Sequence, residues 1–540
     1  MGGLAIAIDL GTSGFRAQAI DLSSGKIIST VITQNHPLPG INVMDHIHFA
    51  LELGVETACS IIIKAINKII KELPVERKKT VRLAVCGNPA QLSLFQGKEI
   101  RDLAYGGKKK LRTLGVNVQE RKGAVIAASD IQMLELPGTC EVIIPPSVCQ
   151  EVGADALAMI IKSGMMETPD TSIAIDFGTN AEMAISHKGH IITGSAAAGS
   201  AIEGQHITCG MVAAPGAIAD IGREYPYYRT ILLDSSLNPV HGPLVDLAGT
   251  VIEKDNTPEP AGITGTGTIG TIALAMETGL ITLPHIKNGK LRFNEKIFLS
   301  EEDLMETGRA IGAIRAGYMT LCMEGGIKPE ELHTVYMAGA SGTYIDAVKA
   351  QKIGIIPPEG KHIYQIGNTS LAMARELATD PGKLDYMISI ADKLRKTYSM
   401  FASSNNFKKL YILELSYWTE GMPLNQYRKF LQKYRFPDLP EVNRAEKIIR
   451  TMKRDIDEPG EMGLKTITGI SGGIKKSIKD CKYCMKCIKN CKTKALKYID
   501  NGIFTLEEAL CAGINCKICE YVCPEKIFKW NNFFDDYKKF

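Results

Sequence analysis

The chain has 540 residues, 45% hydrophobic and 23% charged, which is ordinary globular material with apolar content enough for several packed domains. Its formal net charge of +4 is small for that length, and no run of basic residues is interleaved with aromatics, so nothing in the balance points to nucleic acid. Between Met1 and Asp21 the sequence turns acidic at Asp9 and glycine-rich at Gly11, where a signal peptide needs an unbroken apolar core; no apolar run reaches ~18 residues, so the chain is expected to be soluble and cytoplasmic.

The first element, Ala5-Ile-Ala-Ile-Asp-Leu-Gly-Thr-Ser13, returns later as Ser172-Ile-Ala-Ile-Asp-Phe-Gly-Thr-Asn180, an internal repeat that implies two similar subdomains. Each copy is a short β-rich run ending in Asp-x-Gly-Thr and followed by a second run, Phe15 to Leu22 or Glu182 to Ser186, which predicts a hairpin with a glycine turn. Helical periodicity covers Leu51 to Leu73 and Glu302 to Met323, so the whole reads as α/β. Mixed helix and strand continue from Lys383 to Phe436, with Leu410 to Leu415 expected as a strand. Residues 441–474 have the proline and glycine content of a linker around one charged helical stretch, Glu441 to Arg454. The expected organisation is therefore a duplicated domain over 1–440, with its second half beginning near 171, the linker over 441–474 and a cysteine-rich module over 475–540.

The turns explain what the duplicated domain binds. In Asp9-Leu-Gly-Thr-Ser-Gly14 the glycines let backbone N–H groups approach phosphate oxygens, the hydroxyls of Thr12 and Ser13 donate to them, and Asp9 can hold a hydrated Mg²⁺. One such turn is most often only a tight turn. Here a second copy at Asp176, Gly178, Thr179 and Asn180 supplies an opposing clamp for β- and γ-phosphates, and Val335-Tyr-Met-Ala-Gly339-Ala-Ser-Gly342 adds a strand ending in small residues suited to lie under an adenosine ring. These elements resemble the phosphate and adenosine motifs of the acetate and sugar kinase, Hsp70 and actin superfamily (ASKHA). No Gly-x4-Gly-Lys-Ser/Thr loop is present, which excludes a P-loop enzyme.

Of 14 cysteines, Cys59, Cys86, Cys140, Cys149, Cys209 and Cys322 are scattered and are given no function, whereas the rest lie between 481 and 523. Cys481, Cys484, Cys487 and Cys491 form one run and Cys511, Cys516, Cys519 and Cys523, followed by Pro524, the other; this is the bacterial two-cluster ferredoxin pattern. In that pattern the fourth cysteine of each run ligates the other cluster, which assigns Cys481, Cys484, Cys487 and Cys523 to one [4Fe–4S] cluster and Cys511, Cys516, Cys519 and Cys491 to the second. The second run carries two extra residues between its first two cysteines, and no proline follows Cys491, so an enlarged loop is expected. Structural zinc prefers two separated cysteine pairs and fits less well. The lysines around both runs either offset cluster charge or meet an acidic partner; a merely solvated surface is an equal reading.

Further stretches are similar to the corrinoid-protein reductive activators: Gly40-Ile-Asn-Val-Met-Asp-His46, Cys86-Gly-Asn-Pro89, Val152-Gly-Ala-Asp-Ala-Leu-Ala158, Gly194-Ser-Ala-Ala-Ala-Gly-Ser-Ala-Ile-Glu-Gly204, Gly262-Ile-Thr-Gly-Thr-Gly267, Ala313-Ile-Arg-Ala-Gly317 and Phe436-Pro437. The likeness spans most of 1–440. Members of the family commonly carry an N-terminal [2Fe–2S] domain; this chain begins at the first phosphate strand and has the C-terminal ferredoxin-type module instead, as do members serving methylamine methyltransferases in methylotrophic methanogens. The resemblance implies an actin-like ATPase fold joined to an α+β ferredoxin-like domain, ATP-dependent reduction of inactive Co(II) corrinoid to Co(I), and Asp9 and Asp176 as the carboxylates that position Mg²⁺ and the attacking water. It implies corrinoid proteins of methylamine systems and a low-potential electron donor as partners. Competing readings are a small-molecule kinase of the same superfamily, an ATP-driven electron activator of another low-potential enzyme, and a non-enzymatic scaffold. His46 and His48, beside Asp45 and read as lying on a strand, are assigned no metal.

Overall fold

The computed structural model describes residues 3–105, 108–253, 259–438, 445–456, 458–467, 469–470, 472–500 and 502–537. The chain divides into two compact units, one formed by Met1–Ala154, Leu371–Ser389 and Glu458–Phe540, the other by Asp155–Ser370 and Ile390–Asp457.

In the first unit the apolar run at the N-terminus forms β1 (Leu4–Leu10), turns into β2 (Phe15–Asp21) and β3 (Ile27–Thr33), and these pair antiparallel in sequence. Helices α1 (Val43–Leu53) and α2 (Val55–Glu72) follow, separated at Gly54, so the single helical run expected from Leu51 to Leu73 is two helices. Then β4 (Thr80–Gly87) pairs parallel with β1 and leads into α3 (Pro89–Phe95), whose N-cap is Asn88. The sheet has seven strands, and its centre, β1, is buried on both faces: Ile6 and Ile8 are fully buried, each contributing about 2 kcal/mol of hydrophobic stabilisation.

The second unit repeats this plan. Strands β5 (Ser172–Phe177), β6 (Ala181–His187) and β7 (His190–Ala196) pair antiparallel in sequence, and β8 (Thr334–Ala338) pairs parallel with β5, as β4 does with β1. Strand β9 (His362–Gly367) extends the sheet, also to seven strands. A five-stranded sheet over 217–263 and the long helix Glu301–Glu324 complete it. Buried Arg315 of that helix donates bidentately to Glu414, through Nε at 2.7 Å and Nη2 at 2.6 Å.

Three local expectations are corrected. Leu410–Leu415 is not a strand but part of the helix Asn405–Thr419, capped by Ser404, whose buried Leu410, Leu413, Glu414 and Trp418 have helical spacing. The helical stretch expected over Glu441 to Arg454 holds the strand Lys447–Arg450, parallel to β9; its start at 441–444, like the expected boundary at 440/441, lies outside the described residues. His46 and His48 lie on α1, not on a strand. A further strand in the expected linker, Leu464–Ile467, joins the edge of the first sheet beside β3. No helix among the described residues is long and apolar enough to cross a membrane.

Candidate functional site

Each half of the expected nucleotide site sits at the end of a central strand. In the first unit Asp9 is the penultimate residue of β1, buried, with Arg16 opposite it in the β1–β2 register and the Arg16 guanidinium 3.9 Å from its carboxylate. Gly11, Thr12 and Ser13 form the turn together with Gly14; a Cβ at Gly11 would meet the carbonyl of Gly14 at 2.7 Å, so the tight turn requires glycine there. Thr12 and Ser13 are buried, and the Thr12 hydroxyl accepts from Asn88 Nδ2 at 3.1 Å. Asn88 belongs to the stretch Cys86–Pro89, which the parallel pairing of Asp9 with Cys86 carries alongside the turn.

In the second unit Asp176 occupies the matching place on β5, but the residue opposite it on β6 is Glu182. Glu182 is buried, and its carboxyl is pushed well above the usual carboxylate range by burial and then by the charges of Asp155 and Asp176. Thr179 is buried and its hydroxyl donates to Glu203, while Gly178 and Asn180 are partly exposed. Beside Asp176 on the other flank, Gly339 opens the helix Gly339–Tyr344 with φ +83°, and a Cβ there would meet Asp176 Oδ1 at 2.3 Å. Gly342 packs on Phe177, and its carbonyl accepts from Gln365 Nε2 at 2.8 Å. Sequence reasoning missed Arg16, Glu182, Asp155 and Glu203; the last two lie within motifs quoted for the family resemblance, and the first two become visible only through strand register.

The cysteine module has a three-stranded sheet built from Ile474–Ser477, Ile503–Leu506 and Leu496–Tyr498. Its two cysteine runs have matching backbones. Met485, after Cys484, and Lys517, after Cys516, both take left-handed φ values, +57° and +36°, and each starts a four-residue helix, Lys486–Lys489 or Ile518–Tyr521; the two helices touch. Holding a non-glycine residue there costs about 1 kcal/mol. Cys487 feels the charges of Cys481 and Cys484, and Cys511 those of Cys491 and Cys516, so a cysteine of the first run stands with the second. Among the described residues no three His, Cys, Asp or Glu side chains are close enough to grip a single metal ion. Burial pushes the Cys487 and Cys511 thiols up to about 11 and Cys519 up to about 12, so the charge of bound iron is what would hold them as thiolates. The donor set, eight sulfurs in two runs with matched turns and one crossed neighbour, fits paired iron–sulfur clusters. Among the scattered cysteines, burial likewise pushes Cys59 and Cys149 up to about 11.

Comparison with known proteins agrees with this architecture. A family model described as the RACo middle region matches residues 4–168, and one described as the C-terminal domain of RACo, the ASKHA domain, matches 170–428. The chain is 46% identical over 496 residues, 92% of each chain, to the "[Co(II) methylated amine-specific corrinoid protein] reductase" of Methanosarcina barkeri. It is 26% identical over 400 residues to the "Corrinoid activation enzyme RamQ" of Eubacterium limosum, covering 67% of this chain and 62% of that one. Among solved structures, a "Reductive activator for corrinoid,iron-sulfur protein" superposes with a TM-score of 0.63 at 24% identity, over 76% of this chain and 66% of that chain, and shares the fold. Two matched halves, each ending its central strand in the same phosphate turn, together with a relative this similar over nearly its whole length, place the chain in the RACo family of corrinoid-protein reductive activators.

Proposed function

We propose that this protein is an ATP-dependent reductive activase that returns inactive Co(II) corrinoid to Co(I) in the corrinoid proteins of methylamine methyltransferase systems, and that it works in the cytoplasm. The observation that carries this reading is the 46% identity over 92% of both chains to a reductase of that specificity, joined to a chain that keeps both phosphate turns and all eight module cysteines.

The roles follow from the site chemistry. Gly11, Thr12 and Ser13, and in the repeat Gly178, Thr179 and Asn180, are the candidate N–H and hydroxyl donors to ATP phosphates, and the small residues at Gly339 and Gly342 are the candidates to line the adenosine. Asp176 is the main candidate for the Mg²⁺ side, because Glu182 and Asp155 beside it make an acidic environment that a cation relieves. Asp9, with the Arg16 guanidinium 3.9 Å away, is the candidate to orient water or a metal-bound water. Two [4Fe–4S] clusters, held by Cys481, Cys484, Cys487 and Cys523 and by Cys511, Cys516, Cys519 and Cys491, supply one-electron transfer. Lys482, Lys486, Lys489, Lys492 and Lys494 are exposed around the first run and make no ion pair among the described residues, a face suited to an acidic low-potential donor. Co(I) is a strong reductant, so hydrolysis coupled to a conformational step is what makes its formation favourable.

The test is anaerobic ultraviolet–visible spectroscopy of a Co(II) methylamine corrinoid protein mixed with this protein and a reductant. Co(I) that appears only with Mg-ATP supports the activase. An unchanged corrinoid together with a phosphorylated metabolite would identify a kinase instead.

A further inference from the structure

A buried polar line runs within the first unit from the phosphate turn to His46 on α1, the helix that packs against the cysteine module; it ends there, since His46 Nε2 has no hydrogen-bond partner among the described residues. It begins at Thr12, whose hydroxyl accepts from Asn88 Nδ2 at 3.1 Å, while Asn88 Oδ1 accepts from the backbone N–H of Gln91 at 3.0 Å. The Gln91 amide lies between two histidines, with Oε1 2.9 Å from His36 Nε2 and Nε2 2.9 Å from His46 Nδ1. The backbone N–H of Leu38 donates to His36 Nδ1 at 3.1 Å, so the His36 proton is on Nε2, Gln91 accepts it, and Gln91 in turn donates to His46. Every member is almost wholly buried: Thr12 is 8% exposed, Asn88 7%, Gln91 1%, His36 4% and His46 0%. Burial holds His36 down to about 3 and His46 well below its ordinary value, so both rings stay neutral and the order of donors is fixed at physiological pH. The two rings are stacked with centroids 3.9 Å apart.

His46 lies one residue beyond Asp45 on α1, and the face of α1 that carries Asp45, Phe49 and Glu52 is covered by the module. Asp45 Oδ2 accepts from the Ile41 N–H at 3.0 Å and Oδ1 from Asn515 Nδ2 at 2.9 Å. Gly40 donates its N–H to the carbonyl of Cys511 at 2.9 Å; its φ is +113° and a Cβ would meet Asp45 Cβ at 2.3 Å, so only glycine fits between helix and module. Farther along α1, Glu52 accepts from Lys517 Nζ at 3.1 Å and from Asn531 Nδ2 at 2.9 Å, and Phe49 meets the edge of Trp530. Trp530 itself points its indole N–H at Cys511 Sγ, 3.3 Å away. Hydrogen bonding to a ligating sulfur and the packing that excludes water from it are the protein's means of setting a cluster's potential.

We propose that Asn88 and Gln91 are positioning residues that couple nucleotide at the phosphate turn to the cluster held by Cys511. A phosphate drawing on the Thr12 hydroxyl changes the length of this line, α1 shifts against Gly40, Asn515 and Trp530, and the surroundings of the Cys511 sulfur change with it. The cluster at Cys481, which this line does not reach, is unaffected. The inference rests on the reading that Thr12 binds nucleotide phosphate.

The test uses the full chain with its clusters in place. Redox titration followed by electron paramagnetic resonance is run with and without saturating Mg-adenylyl-imidodiphosphate, and binding of that nucleotide is measured separately by calorimetry. Nucleotide is expected to lower one of the two reduction waves, by about tenfold in the reduced-to-oxidised ratio at fixed ambient potential, about 59 mV for one electron, and to leave the other in place. Gln91→Leu, which keeps the volume and removes the amide, should bind nucleotide and iron as the wild type does but lose most of that shift. Asn515→Ala, at an exposed position, should diminish it without touching the buried line, and decides the matter if Gln91→Leu does not fold. Wild type that binds nucleotide without moving either wave overturns the coupling alone, as does a variant that keeps the full shift. Failure of the wild type to bind nucleotide overturns the site reading beneath it.

Discussion

The two phosphate turns are near-identical in sequence and opposite in charge environment. Asp9 faces Arg16 across its hairpin, whereas Asp176 faces Glu182, because the first turn has four residues between paired strands and the second three, Gly11–Gly14 against Gly178–Asn180. The first aspartate has a cation beside it; the second faces an acid, Glu182, whose carboxyl is pushed well above the usual range by burial and then by the charges of Asp155 and Asp176. Duplication thus preserved the glycine turn after the central strand while the residue facing the carboxylate diverged; on the proposed reading, that divergence would separate a water-orienting role from a metal-attracting one.

The strongest way to break this comparison is to neutralise the two aspartates in turn. Asp176→Asn should reduce steady-state ATP hydrolysis by about 100-fold or more, the scale of losing one preorganised electrostatic contact, and Asp9→Asn by about tenfold. Equal losses would mean that the two turns do the same work. Stability against pH gives the next effect. His36 is held at about 3 against 6.5 in an unfolded chain, so its contribution is present above pH 6.5 and is lost as pH falls toward 3, roughly 2 kcal/mol at pH 5. Urea denaturation at pH 7.5 and 5 should show that loss for the wild type and a smaller one for His36→Gln. Glu182 works in the opposite direction: its raised value means that its stabilisation is present below about pH 4.5 and is lost as pH rises. Melting curves of Glu182→Gln should therefore fall behind the wild type least at high pH and overtake it there, with a slope difference of at most about 1.4 kcal/mol per pH unit; saturating Mg-ATP should flatten that difference if the cation sits beside Asp176. The smallest effect is Arg16→Gln, where a partly exposed pair 3.9 Å apart predicts less than about fivefold loss in hydrolysis.

The hairpins were legible because a repeated apolar run ending in Asp-x-Gly-Thr carries its own turn chemistry, and the module because cysteine spacing is itself a ligand geometry. What faces each aspartate was not, since strand register depends on turn length and a one-residue difference changes the partner. Leu410–Leu415 misled because a short apolar run has the same composition in a helix as in a strand; Ser404, placed to cap a helix, was the overlooked signal. The strands Lys447–Arg450 and Leu464–Ile467 were hidden for another reason: four-residue edge strands with charged residues and nearby glycine or proline look like linker, and only their neighbours in the sheets define them.

The chain has only two tryptophans, and their settings are unlike: Trp418 lies in the apolar core of the second unit, while the Trp530 indole N–H points at the Cys511 sulfur. An iron–sulfur cluster absorbs where tryptophan emits, so a filled site beside Cys511 would darken Trp530. Intrinsic fluorescence is therefore a built-in optical gauge of cofactor loading, readable in the unlabelled protein and calibrated by Trp530→Phe, which should lose less of its emission on iron loading than the wild type.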